Sequence, residues 1–173
     1  MPHLHPPTPP RAAAPAAGAA PPPLADTALL LSRARMLQRE ALAGGHPAWL
    51  RGKNIGLLGA ADDGPESALF RRAALELGAR VAQIRPFAEG APASAEFQLT
   101  ARLIGRLYDA VDWPGAPADL LERVRASAGI PIYDGLATAH HPTAALAGLL
   151  DAGSSLADRR RFVLQAVLLA TII

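Results

Sequence analysis

GKNIGLLGAADDGPESALFRRAALELGARV, residues Gly52 to Val81, decides the fold. Ile55 to Leu58 is a short apolar run closed by glycine, the pattern of a strand buried on both faces. Residues 66–77 carry a helical period, and Gly78 follows them as a residue that ends helices. Val81 to Ile84 begins a second strand. A strand, a helix and a strand within so short a span make a parallel βαβ unit.

The same alternation continues outward from this unit. Residues 95–108 form an amphipathic helix, with Phe97, Leu99, Leu103, Ile104 and Leu107 expected to face inward. Ala110 to Trp113 reads as a third strand, Pro117 to Ala128 as a helix, and Ile130 to Tyr133 as a fourth strand. His141-Pro142-Thr143 starts a helix that ends near Asp151, and a last helix runs from about Leu156. Upstream, Asp26 opens a helical pattern in which Leu29, Leu30, Leu37 and Leu42 fit a 3.6 period, and Gly44-Gly45 stop it. The expected class is α/β, with three layers: a four-stranded parallel sheet and helices on both faces.

Residues 1–24 hold nine of the seventeen prolines, so they cannot bury apolar area and are expected to form a disordered or polyproline-like tail. Residues 25–173 are expected to form one domain, with a closing helix at about 156–173; the 50% hydrophobic content suffices for a core. Seventeen basic against fifteen acidic residues leave a net charge of +2, too little to mark a nucleic-acid partner. Cysteine is absent, which removes disulfides, thiol nucleophiles and thiolate metal sites and suits a cytoplasmic location. The apolar run Phe162 to Ile173 is too short to span a membrane, which takes about 20 residues, and reads as a packed helix.

Four blocks carry a family resemblance: GKNI at Gly52, ALELGARV ending at Val81, TARLIGRLYDAV from Thr100 to Val111, and IPIYDGLATAHHPTAALAGLL from Ile130 to Leu150. Over about residues 26–152 the chain resembles the N-terminal, carbamoyl-phosphate-binding domain of the aspartate/ornithine carbamoyltransferases, with spacing nearest the ornithine branch. Asp158 to Thr171 is similar to the helix with which that family closes the domain, and it follows almost directly. The resemblance implies that the amino-acid-binding domain between them is missing.

Carbamoyl phosphate is a small dianion, held by backbone N–H groups at a helix N-terminus and by arginine forks. In the family a Ser-Thr-Arg-Thr-Arg turn supplies both. The corresponding residues here are Asp63, Gly64, Pro65, Glu66 and Ser67, so Pro65 and Ser67 replace the two arginines. A carboxylate about 4 Å from a phosphate costs roughly 4 kcal/mol at an effective dielectric near 20. Asp63 and Glu66 read as ordinary helix-start residues, Pro65 suits a first turn, and Asp63 or Gly64 suits the N-cap. The alternative is a cation site made by Asp62, Asp63 and Glu66. A third family arginine falls at Pro114. The family's His-Pro-Thr-Gln becomes His141-Pro142-Thr143-Ala144, keeping the histidine that polarises the carbamoyl oxygen and losing the glutamine. Ser94 stands where a neighbouring subunit's loop would bring a lysine.

Other residues have simpler readings. His141 is expected to fix the turn into its helix, Trp113 to pack in a core or interface, and Arg159 to Arg161 to lie on a solvated face. His140-His141 lacks a carboxylate or cysteine at ligand spacing, so no metal is expected, and no cofactor. The expected function is a degenerate, non-catalytic carbamoyltransferase-like domain. It would act as a homotrimer or as the partner of a full-length carbamoyltransferase, without nucleic acid or membrane. The alternatives are a divergent carbamoyltransferase or carbamoyl-phosphate-binding subunit, and a sensor of another small ligand.

Overall fold

Four apolar runs too short for helices pair into one sheet. In the computed structural model they are β1 (Asn54–Leu58), β2 (Arg80–Ile84), β3 (Ala110–Asp112) and β4 (Ile132–Tyr133), in the order β2-β1-β3-β4 with every pair parallel. Ile55 lies opposite both Val81 and Ala110, and Val111 opposite Ile132. The helices are α1 (Thr27–Leu42), α2 (Pro65–Glu76), α3 (Ala95–Leu107), α4 (Ala118–Ala128), a 3-10 helix (Pro142–Leu149) and α5 (Leu156–Ile172). The structure describes residues 27–45, 47–59, 64–85 and 95–173. The expected tail, Asp26, Asp62, Asp63 and Ser94 lie outside them.

Two cores give the three layers. Leu30, Leu37, Phe70, Leu77 and the inner residues of α5 pack with Ile55 and Leu57 on one side. Phe97, Ala101, Ile104, Leu121 and Val124 pack with Leu58, Val111 and Ile132 on the other. The chain leaves β1 for β2 on one flank and then crosses to β3 on the other. The C-terminal ends of β1 and β3 therefore border the crevice where open parallel sheets seat their ligands.

α5 shows why a closing helix is needed. Nine consecutive residues, Arg161 to Leu169, are buried, because α1, α2 and the 3-10 helix surround it. No helix among the described residues is long and apolar enough to cross a membrane. The expected solvated face at Arg159–Arg161 is not found. Arg161 donates to Glu76 and Asp158, Arg159 donates to the Ala147 carbonyl, and Arg160 donates to the Ala137 carbonyl. All three guanidinium groups are engaged inside the fold.

Polar ties set the joints. Lys53, the only lysine, bonds the Asp109 carboxylate at 2.9 Å, and Asp109 also accepts the Asn54 N–H at 2.8 Å. That pair fastens the entry of β1 to the entry of β3. Gln38, only 2% exposed, donates to the Asp151 carbonyl at 2.9 Å and to Ser154 Oγ at 3.0 Å, and accepts the Asp151 N–H. It thus clamps the short joint between the 3-10 helix and α5 onto α1. Gln38→Leu is expected to cost about 1–3 kcal/mol in chemical denaturation, because the Asp151 backbone groups lose buried partners. An unchanged midpoint would show that water replaces the clamp.

Four expectations change. Leu29 and Leu42 are exposed; the inner face of α1 is Leu30, Ala34, Leu37 and Gln38. Leu99, Leu103 and Leu107 are likewise exposed, and α3 buries only Phe97, Ala101 and Ile104. The reason is the approach of α4. A Cβ on Gly105 would lie 1.9 Å from the Ala128 carbonyl oxygen, so α3 presents a smooth side to α4 and turns its leucines outward. The segment after His141 is a 3-10 helix ending at Leu149, and β4 begins only at Ile132, after Pro131 has removed one N–H.

Candidate functional site

The expected site residues come from three segments at the C-terminal end of the sheet. The first is the start of α2. Gly64 is the N-cap, with extended backbone and no side-chain cap, and Pro65 occupies the first turn. Proline fits there because that N–H has no helical partner in any case. Glu66 lies in the same turn, and its Oε1 accepts the Ala139 N–H at 3.3 Å. Ser67 is half-buried. Asp63, and with it the proposed Asp62–Asp63–Glu66 cation site, lies outside the described residues.

The second segment follows β3. Trp113 is buried in the core, as expected of a strand-end aromatic. Pro114 is exposed, and the chain turns at Gly115, whose N–H donates to Asp134 Oδ1 at 3.3 Å. Gly135 sits against Pro114: a Cβ there would lie 3.3 Å from Pro114 Cβ and 2.6 Å from Thr138 Cγ2, at a φ of +61°. Only glycine lets this tight turn nest against the proline.

The third segment is the loop Asp134–His141 with the 3-10 helix behind it. His141 is the N-cap: its Nδ1 accepts the Thr143 N–H at 3.3 Å and lies 2.8 Å from Thr143 Oγ1. An Nδ1 that accepts leaves the proton on Nε2. Burial holds the imidazole below its ordinary pKa, partly opposed by Asp134, so the ring is neutral near pH 7. Ala144 donates its N–H to the His141 carbonyl and offers no side-chain donor.

The structure therefore brings Glu66 and Pro114 against the loop that ends in His141. It also places there a group that the residue patterns alone did not single out. Asp112, the last residue of β3, is 2% exposed. Its Oδ1 accepts the Leu136 N–H at 3.0 Å. Burial pushes its carboxyl up to about 7; the N–H groups of Leu136 and Gly135 pull the other way, and the charges of Asp134 and Glu66 add to the rise. The signal was present in the sequence: an acid inside a run expected to be a buried strand.

Three carboxylates thus fasten one loop, Asp112 through Leu136, Glu66 through Ala139 and Asp134 through Gly115. Arg160 reaches the same loop and is engaged by the Ala137 carbonyl. Among the described residues no group of three or more His, Cys, Asp or Glu has the arrangement to hold a metal.

No family model matches the chain. It is 34% identical over 122 residues to a catabolic ornithine carbamoyltransferase from Chromobacterium violaceum, covering 70% of this chain and 36% of that protein. The chain is homologous to the N-terminal domain of the ornithine and aspartate carbamoyltransferases. Solved structures agree with this carbamoyltransferase-like assignment. An aspartate transcarbamoylase from Trypanosoma cruzi, in complex with N-(phosphonacetyl)-L-aspartic acid, superposes with a TM-score of 0.55 at 25% identity, over 72% of this chain and 40% of that one. An ornithine carbamoyltransferase from Pyrococcus furiosus (TM-score 0.59, 22% identity, 72% and 40%) and one from Burkholderia thailandensis (0.60, 18%, 72% and 43%) share the fold. The carbamoyltransferase-like chain spans about a third of its curated relative's length. Six residues separate Leu149 from Leu156.

Proposed function

We propose that this chain is a non-catalytic, carbamoyltransferase-like domain that acts through protein contacts, either as a homotrimer or bound to a full-length carbamoyltransferase. One observation carries the reading. The crevice where a dianion would sit is fastened by the carboxyl groups of Glu66, Asp112 and Asp134, while Pro65, Ser67 and Pro114 stand where the family resemblance implies arginines. Glu66 already occupies the Ala139 N–H with a negative charge of the protein's own. The N-terminus of α2 favours anions, and this carboxylate lies in its first turn. The hydrophobic cores are intact, so the fold persists without the phosphate grip.

The test is calorimetric titration with carbamoyl phosphate, together with the solution mass. The expected result is no saturable heat up to millimolar ligand and a mass above that of one chain. The triple variant Pro65→Arg, Ser67→Arg, Ala144→Gln returns the forks and the amide, and is expected to bind with weak but measurable affinity. Micromolar binding by the unaltered chain would sink the proposal.

His141 favours a second reading, a carbamoyl-phosphate-binding subunit whose amino-acid site comes from another polypeptide. Its Nε2–H is the donor form that suits a carbamoyl oxygen. The same titration decides between the two, and heat from a neutral or cationic ligand only would point instead to a sensor.

A further inference from the structure

The outer face of α3 carries an ordered seam that nothing among the described residues covers. Leu99, Leu103 and Leu107 are 58%, 45% and 62% exposed, although large apolar side chains four residues apart on one helix face usually find a partner. Glu96 precedes them on the same face and Arg106 stands among them; both are exposed, and neither forms an ion pair among the described residues. The spacing Glu96, Leu99, Leu103, Arg106 is three, four, three, the alternation of a coiled-coil seam.

We propose that this seam is a docking face for a second copy of the chain, with the two α3 helices antiparallel about a two-fold axis that crosses the outer face at the level of residue 101, between Leu99 and Leu103. The argument is charge and shape complementarity. Turning the helix about that axis lays Leu99 on Leu103 of the other copy and Glu96 on Arg106 of the other copy, and the symmetry makes each contact twice. A parallel pairing places Glu96 on Glu96 and Arg106 on Arg106, which is repulsive. A turn about Leu103 aligns the leucines but leaves both charges without partners. The axis at the level of residue 101 pairs Leu99 with Leu103 and both charges, and it sets Leu107 against the small Ala95 of the other copy. Antiparallel helices also set opposite dipole ends side by side.

A thirteen-residue helix is about 20 Å long, and one such pair covers less than the ~1,200 Å² of a stable specific interface. The pairing is therefore weak and concentration-dependent. It is isologous, so it cannot itself build a three-fold ring. It links copies by a contact separate from any that makes a trimer.

The absence of cysteine in the chain makes a clean test. Leu99→Cys and Leu103→Cys proteins are mixed in a redox buffer, and the cross-linked products are counted. The expected result is a mixed 99–103 disulfide well above its statistical share. Equilibrium sedimentation reads the same contact. Glu96→Arg or Arg106→Glu is expected to weaken association by about tenfold, since each change spoils two exposed pairs, and the double swap is expected to restore it. Leu103→Glu is expected to abolish it. A statistical disulfide distribution, or a double swap no better than the single changes, overturns the proposal. If a trimer survives Leu103→Glu while the cross-link is absent, the docking face fails and the trimer reading stands. A two-fold pair with the mixed cross-link and no trimer supports the docking face and removes the trimer reading.

Discussion

Asp112→Asn is expected to raise stability by up to ~4 kcal/mol at about pH 8 and to flatten the pH dependence between about 4 and 7. The sign follows from where the proton is held. Burial raises the folded-state carboxyl from 3.8 to about 7, so the folded chain binds a proton over a range in which the unfolded chain does not. Stability from this group is complete below about pH 4 and is lost as pH rises to about 7. Above that, the fold carries a buried negative charge that the charges of Asp134 and Glu66 oppose. Asparagine keeps an acceptor for the Leu136 N–H and removes the charge. Guanidinium titrations at several pH values compare the two proteins. Parallel stability curves would show that Asp112 ionises without penalty.

The acid limb runs the other way. Asp158 sits below its ordinary value, chiefly through the Ser155 hydroxyl, with Arg161 and Arg72 helping. Asp109 is also held low: burial opposes ionisation, and the Asn54 N–H and Lys53 outweigh it. Their contributions are present above about pH 4 and fade as pH falls through the lowered values. The two limbs together put the stability maximum at weakly acid pH. Asp112 fastens the loop that ends in His141, so the high-pH loss falls on the crevice itself, and amide exchange at Leu136 is expected to quicken first.

Much of the fold was legible because short apolar runs and helix punctuation are local signals. Ile55–Leu58 and Gly78 each fix their own element. Which face of a helix turns inward is not local. The 3.6 period of α3 accommodated Leu99, Leu103 and Leu107 as easily as Phe97, Ala101 and Ile104, and only the proximity of α4 chose the narrower set. The site shows the same limit. Pro65 in a first turn and His141 as a cap are matters of neighbouring residues and could be read directly. The bonds from Glu66 to Ala139 and from Asp112 to Leu136 join residues far apart in sequence. Composition cannot show such contacts, and they are what make the crevice acidic. The arginines of α5 looked solvated because their partners, Glu76, Ala137 and Ala147, belong to other segments.

Gly105→Ala carries this distinction to a measurable sign. Taken locally, glycine inside a helix is unfavourable, and alanine should stabilise α3 by about 1 kcal/mol. The packing demands the opposite. The added Cβ would lie 1.9 Å from the Ala128 oxygen, 2.8 Å from its carbonyl carbon and 3.0 Å from its Cα. These are backbone atoms at the end of α4, where Arg125 also bonds the Ile132 carbonyl through Nε and Nη2. No side chain can swing aside, so the two helices must separate by more than an ångström. That opens the core around Phe97, Ile104, Val124 and Ile132. The expected loss is ~3 kcal/mol or more, the upper range for overpacking of a filled interior, read as a fall in the denaturation midpoint with little change in slope. A stabilised variant would mean that α3 and α4 stand farther apart than this structure places them. The outward turn of Leu99, Leu103 and Leu107, which rests on that same close approach, would then lose its cause.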